Sequence, residues 1–252
     1  MTALLLASAA FGAKLVDSAG AQALLDRGAT VLDTRSTMSF LAGHLPGAAS
    51  VSWRIGVVGG SRSGTLGPPD AVAAAFAALG VSNGVPVLVV GDWTSGWGEE
   101  GRIAWDLEYL GHDDVSVLQG GARAWTGAWS YGPTWPARGQ FQATPRPALR
   151  VDREALKASG ALRVDVREPD EFAGSNGYFA AYGGHVPDAV NRPWRSLVDG
   201  SAEPLPKDQP LIVYCTGGVR SAFAWLWLTN QGYTVSNYDG SWWDWSAHEA
   251  AP

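Results

Sequence analysis

The chain has 252 residues, a formal net charge of −6 spread along its length, and a single cysteine. One cysteine excludes an intrachain disulfide and any multi-cysteine zinc site, and the four histidines show no close paired spacing, so no metal is implied. No run of lysine or arginine could follow a phosphate backbone, and no apolar stretch is long enough to span a membrane, so nucleic acid and a membrane span are not expected.

Ala3 to Ala10 is a short Ala/Leu-rich run, and Ala10-Phe11-Gly12 has the small-x-small form of a cleavage site. Residues 1–12 read as a truncated secretory signal without its charged leader, or as the start of an ordinary apolar helix; export, to a periplasm for instance, is the expectation, with the cytoplasm as the alternative. Helical patterns follow at Ala19 to Arg27, Asp70 to Leu79, Gly101 to Leu110, Arg153 to Ser159 and Ala222 to Gln231, alternating with short apolar strand-like runs. That alternation predicts α/β architecture with mostly parallel sheets flanked by helices.

The sequence also repeats itself. Val31-Leu32-Asp33-Thr34-Arg35 is echoed by Arg163-Val164-Asp165-Val166-Arg167, and Gly43-His44-Leu45-Pro46 by Gly184-His185-Val186-Pro187. Pro86 to Val90 then matches Pro210 to Tyr214, and Gly120 to Trp125 matches Gly240 to Trp245. A period on the order of 120 residues is that of a domain. We expect one domain over 15–131, a proline-marked linker over 132–150 and a second domain over 151–252.

Cys215 closes the apolar run Leu211 to Tyr214 and opens the turn Thr216-Gly217-Gly218-Val219-Arg220-Ser221 ahead of a helix. Unpaired amides at a helix start, the helix dipole and Arg220 all favour a thiolate there, which makes Cys215 a candidate nucleophile. The strand register puts Gly91 at the matching place in the first half, so that half offers no nucleophile. A cysteine–arginine loop is also used by phosphatase and arsenate enzymes, but Cys215 and Arg220 are one residue too close together for that use.

Asp-x-Arg at a strand end, Gly-His-x-Pro, a strand ending in Cys-x-x-Gly and a closing Gly-x-x-x-Trp, in this order and with the first two present in both halves, resemble the rhodanese superfamily from Leu15 onward, a resemblance that implies chemistry with no metal or organic cofactor. The resemblance implies two tandem rhodanese-like domains, the second catalytic, and sulfurtransferase activity. Cys215 would take a sulfane sulfur as a persulfide and pass it on, with residues 216–221 as the cradle. The small anionic donor would be thiosulfate, ahead of 3-mercaptopyruvate because Arg220 adds positive charge, and the acceptor cyanide or a thiol. Asp165 and Arg167 would be structural supports, as would His44 and His185. Glu171 stands where an arginine is expected for substrate, so Arg192 and Arg195 become candidates for replacement charge. The alternative is a persulfide carrier exchanging sulfur with a protein partner.

Overall fold

The computed structural model describes residues 12–175 and 177–250. The Ala3–Ala10 run and most of the cleavage-like Ala10-Phe11-Gly12 lie outside the described residues. Among the described residues no helix is long and apolar enough to cross a membrane.

In the first half, β1 (Lys14–Val16), α1 (Ser18–Asp26), β2 (Thr30–Asp33), α2 (Thr37–Ala42), β3 (Ala49–Ser50), α3 (Pro69–Ala78), β4 (Val87–Val90), α4 (Glu99–Tyr109) and β5 (Val115–Leu118) follow in chain order. The second half runs α5 (Arg153–Ala158), β6 (Leu162–Asp165), α6 (Pro169–Phe172), β7 (Val190–Asn191), α7 (Trp194–Asp199), β8 (Leu211–Tyr214), α8 (Val219–Asn230), β9 (Val235–Asn237) and α9 (Ser241–His248). Local chemistry sets several of these starts. Asp17 and Asp152 cap α1 and α5 by accepting from Gly20 N and Ala155 N, each at 2.8 Å. Buried β4 and β8 are continuous apolar runs, as parallel strands covered on both faces require.

All strand pairs are parallel, in the orders β1-β5-β4-β2-β3 and β7-β6-β8-β9. The second sheet keeps a remnant of the missing fifth strand, because Arg150 bridges to Asn237 in parallel and Val151 N donates to Asn237 O at 3.0 Å. Read from that remnant, the two sheets have the same order, so the sequence repeat is a repeat of topology. The two α/β sheets flanked by helices are the expected fold class. Residues 131–146 between them carry no helix or strand and lie along the first domain, where Gly139 N donates to Ala77 O and Thr144 N to Leu110 O.

The five helices expected from periodicity are present within one to three residues at each end. The largest difference is at α8, which begins at Val219 rather than after Ser221. Gly218 adopts φ 79° there and ends the loop early, so Val219, Arg220 and Ser221 form the first helical turn.

The domains join through α4 and α8, which are buried along almost their full length. A side chain on Gly101 would overlap the backbone and Cβ of Phe223, so this glycine permits the close crossing. One hydrophobic cluster consequently runs through both domains, holding Ile103 and Trp105 of the first together with Val213, Cys215, Phe223 and Trp225 of the second. Truncating fully buried Phe223 to alanine would cost about 3–5 kcal/mol.

Candidate active site

Cys215 is the first residue after β8, at the carboxyl edge of its sheet, and is 1% exposed. Its Sγ accepts from Gly218 N–H at 3.2 Å. Burial by itself would raise the thiol's pKa. Arg220, the amide and hydroxyl of Ser221 and the amide of Gly217 outweigh it and hold the thiol below its ordinary value. The buried Ser221 Oγ has no nitrogen or oxygen partner, consistent with a hydroxyl directed at the sulfur.

Inward-facing amides require outward-facing carbonyls, since a trans peptide points the two in opposite directions. Cys215 O accepts from Trp242 N at 3.0 Å and Thr216 O from Trp243 N at 2.9 Å, both at the start of α9. Gly217 O lies against Gly64 of the first domain, where a Cβ would have no room. Gly218 O accepts from Arg102 Nη1, again of the first domain, at 3.3 Å. Both loop glycines are required: a Cβ on Gly217 would strike the Trp243 ring, and one on Gly218 would strike Asp239 O.

The sulfur opens on a cavity of about 260 Å³ lined by Trp53, Trp97 and Glu99 of the first domain and by Tyr178, Thr216, Gly217, Val219, Arg220 and Trp243 of the second. Trp243 Nε1 donates to Tyr178 O at 2.9 Å, and Trp97 meets Tyr178 edge to face at 6.1 Å. The walls are therefore aromatic and come from both domains.

Arg220 does not present a free charge to this cavity. Its Nη1 donates to Glu171 Oε2 at 2.6 Å and its Nη2 to Glu171 Oε1 at 2.7 Å, a bidentate pair in which both side chains are buried. Thr216 Oγ1 completes the cluster, donating to Glu171 Oε1 at 2.8 Å and accepting from Arg220 Nη2 at 2.6 Å. Burial would raise the Glu171 pKa, but the hydrogen bonds and charge of Arg220 hold it below the usual value. Glu171, which stands where an arginine is expected for substrate, thus anchors Arg220 from α6.

Arg192 and Arg195 are placed differently from the sequence expectation. Neither lines the cavity. Arg192 Nη2 pairs with Glu203 at 2.5 Å, and Arg195 donates to Thr94 O at 2.9 Å and Gly96 O at 2.8 Å. Arg195 therefore bridges the domains, because backbone carbonyls of the 94–96 turn reach it before any substrate could.

The supports expected from the repeat have one geometry used twice. Arg167 Nε and Nη2 grip Asp165, and Nη2 also donates to Gly184 O at 2.7 Å; Arg35 grips Asp33 and donates to Gly43 O at 2.6 Å. His185 stacks on Phe172 with ring centres 3.7 Å apart, and His44 on Phe40 at 4.1 Å. Of the closing tryptophans, Trp243 lines the cavity, whereas Trp242 and Trp245 belong to the core.

Trp53, Trp97, Glu99, Tyr178 and Arg102 were not singled out in the sequence. For Trp97 and Glu99 a signal existed, since they lie in the stretch after Gly91 that parallels the Cys215 loop. Trp53 and Tyr178 sit in irregular segments with no period to mark them.

Known proteins agree with this architecture. The rhodanese-like domain family model matches residues 18–128 and again 152–248. The chain is 31% identical over 239 residues to the sulfur carrier protein TtuD of Thermus thermophilus, covering 81% of this chain and 82% of that one. It is 31% identical over 245 residues to a thiosulfate sulfurtransferase of Pseudomonas aeruginosa, covering 88% and 89%. The crystal structure of SseA from Escherichia coli, described with the 3-mercaptopyruvate sulfurtransferases, superposes with a TM-score of 0.78 at 25% identity over 91% of this chain and 99% of that one. With two matched copies, each on its own parallel sheet, the chain belongs to the rhodanese family as a tandem-domain member.

Proposed function

We propose that the protein moves a sulfane sulfur from thiosulfate or 3-mercaptopyruvate to a thiophilic acceptor, cyanide or a thiol, by way of a persulfide on Cys215. The observation that carries this reading is the buried thiol at the base of a cavity, ringed by loop amides and held below its ordinary pKa. In the first half-reaction with thiosulfate, the Cys215 thiolate attacks the outer sulfur, the new S–S bond forms, and the donor's S–S bond breaks to release sulfite. In the second, the acceptor attacks the outer persulfide sulfur and the Cys215 thiolate leaves, with thiocyanate as the product from cyanide. The loop amides serve both the thiolate and the persulfide anion, so charge is stabilised without reorganisation. Two half-reactions on one enzyme give ping-pong kinetics.

A second reading is favoured by the charge at the cavity. Arg220 is neutralised by Glu171, and Glu99 adds a carboxylate to the wall, which suits a dianionic donor poorly. Under that reading Cys215 receives its sulfur from a protein persulfide and hands it on, a role that accords with the name of the Thermus relative.

One experiment tests both. Purified protein is given thiosulfate, 3-mercaptopyruvate or a persulfidated protein, then cyanide, with thiocyanate and intact mass followed in parallel and Cys215→Ser as the blank. Rapid turnover that depends on Cys215 supports the enzyme; a gain of one sulfur atom without multiple turnover supports the carrier; neither a mass gain nor product sinks both.

A further inference from the structure

Arg102 belongs to the domain that has no nucleophile, yet it reaches the loop that surrounds the nucleophile of the other. It is fully buried in α4, and its guanidinium holds three acceptors: Asp106 Oδ1 at 2.8 Å, Gly64 O at 2.8 Å and Gly218 O at 3.3 Å. Gly64 is itself the residue against which Gly217 O rests. The carbonyls of Cys215 and Thr216 are held from within their own domain by the start of α9, whereas the first domain meets the next two, Gly64 resting against Gly217 O and Arg102 donating to Gly218 O.

The peptide geometry gives these contacts a consequence. The Gly217 carbonyl shares a peptide with the Gly218 N–H that donates to Sγ, and the Gly218 carbonyl shares one with the Val219 N–H. Drawing each carbonyl outward turns its N–H inward. Gly218 sits at φ 79° with no side chain to fix its orientation, and the contacts from Gly64 and Arg102 add an outside hold on these two peptides.

We propose that Arg102, seated on Gly64, is a positioning residue for the Cys215 loop, and that the first domain takes part in sulfur transfer by keeping the Gly218 amide turned toward the sulfur. The proposal rests on Cys215 as the sulfur-carrying thiol. Alkylation of that thiol needs no sulfur donor, so a failure of the two readings can be told apart.

The test compares Arg102→Met/Asp106→Leu, which removes both buried charges together, with Arg102→Lys and Gly64→Ala. Asn230→Ala is the control, because Asn230 ties the end of α8 to Ala13 and Leu15 of the first domain, far along the helix from the loop. Three quantities are read: the pH dependence of Cys215 alkylation by iodoacetamide, kcat and KM with a competent donor, and the melting temperature. In the double variant the alkylation inflection should rise by about one pH unit and kcat fall about tenfold with KM little changed, a smaller loss than removing a direct oxyanion donor. Arg102→Lys should recover part of both, and Gly64→Ala should shift both in the same direction. Asn230→Ala should lower the melting temperature while leaving the inflection in place. An unchanged inflection in a folded double variant overturns the proposal. So does an equal shift in Asn230→Ala, since domain docking alone would then account for the effect.

Discussion

Glu171 and Arg220 form a buried bidentate pair, 2.6 and 2.7 Å between their charged atoms, beside the Cys215 thiol. The pair leaves Arg220 near enough to favour the Cys215 thiolate while denying its charge to an incoming anion. A rhodanese loop that opens on an arginine thus has a cavity with little net positive charge. Thiol activation and donor recognition, which one free arginine would serve together, are separated.

Glu171→Gln is expected to keep part of the hydrogen bonding and release the charge. Turnover with thiosulfate should rise severalfold in kcat/KM, and the alkylation inflection of Cys215 should move to lower pH. Stability should fall by about 3 kcal/mol at neutral pH, because one partner of a buried pair is left uncompensated. The sign of the pH effect follows from the depressed Glu171 pKa: the pair's contribution is present above the unfolded carboxylate value and is lost as pH falls through the lower folded one. Denaturant melts of both proteins from neutral to strongly acid pH should therefore converge at the acid end. A drop in kcat/KM together with an unmoved inflection would show that Arg220 acts through neither charge nor thiol.

Glu99→Lys reverses the charge on the cavity wall. Glu99 is half-buried in the first turn of α4, and its Oε2 accepts from Trp97 N at 2.9 Å. The expected outcome is a fall of about tenfold in KM for thiosulfate with little change for a neutral acceptor, since an anion is then drawn to the mouth. Loss of the favourable acid at a helix N-terminus should cost about 0.5–1 kcal/mol in thermal unfolding. Initial rates at low and high salt check the claim, because an effect of charge weakens with screening.

Glu100 stands in the first domain where Arg220 stands in the second, two residues after the left-handed glycine that precedes each helix. It is fully buried, takes a hydrogen bond from Trp93 N at 2.8 Å on Oε1, and has no partner on Oε2. Burial pushes its pKa up to about 8. The folded protein therefore binds this proton more tightly than the unfolded chain, and stability falls as pH rises from the unfolded carboxylate value toward 8. Glu100→Gln should leave the melting temperature at pH 5 nearly unchanged and raise stability at pH 8 by on the order of a few kcal/mol. Melts of the two proteins at those pH values decide it; a variant that is less stable at both would mean that an ionised Glu100 has a stabilising role.

The first domain also shows why its own cradle is lost. A side chain at Gly91, the counterpart of Cys215, would overlap the Glu100 carboxyl. The stretch from Asp92 to Gly98 is correspondingly longer than the Thr216–Gly218 loop, and it sends Trp97 and Glu99 into the partner domain's cavity. What reads along the chain as a degenerate repeat is, in space, one wall of the site.

Sequence by itself determined the duplication and the parallel α/β architecture, and it singled out Cys215 as the candidate nucleophile. These depend on signals carried by adjacent residues: apolar strands of fixed period, Asp-x-Arg and Gly-His-x-Pro in both halves, and a thiol between a strand and a glycine turn. Only the tertiary structure decided which charges act. Arg220 meets Glu171 across 49 positions and Arg102 meets Gly218 across 116, and neither spacing has a local signature. The same applies to α4, whose Glu100, Arg102, Asp106 and Glu108 are charged residues in sequence and are all buried in the fold. Packing around α4 removes water, and in a low dielectric each charge must find a partner, lose its ionisation or orient a nearby peptide.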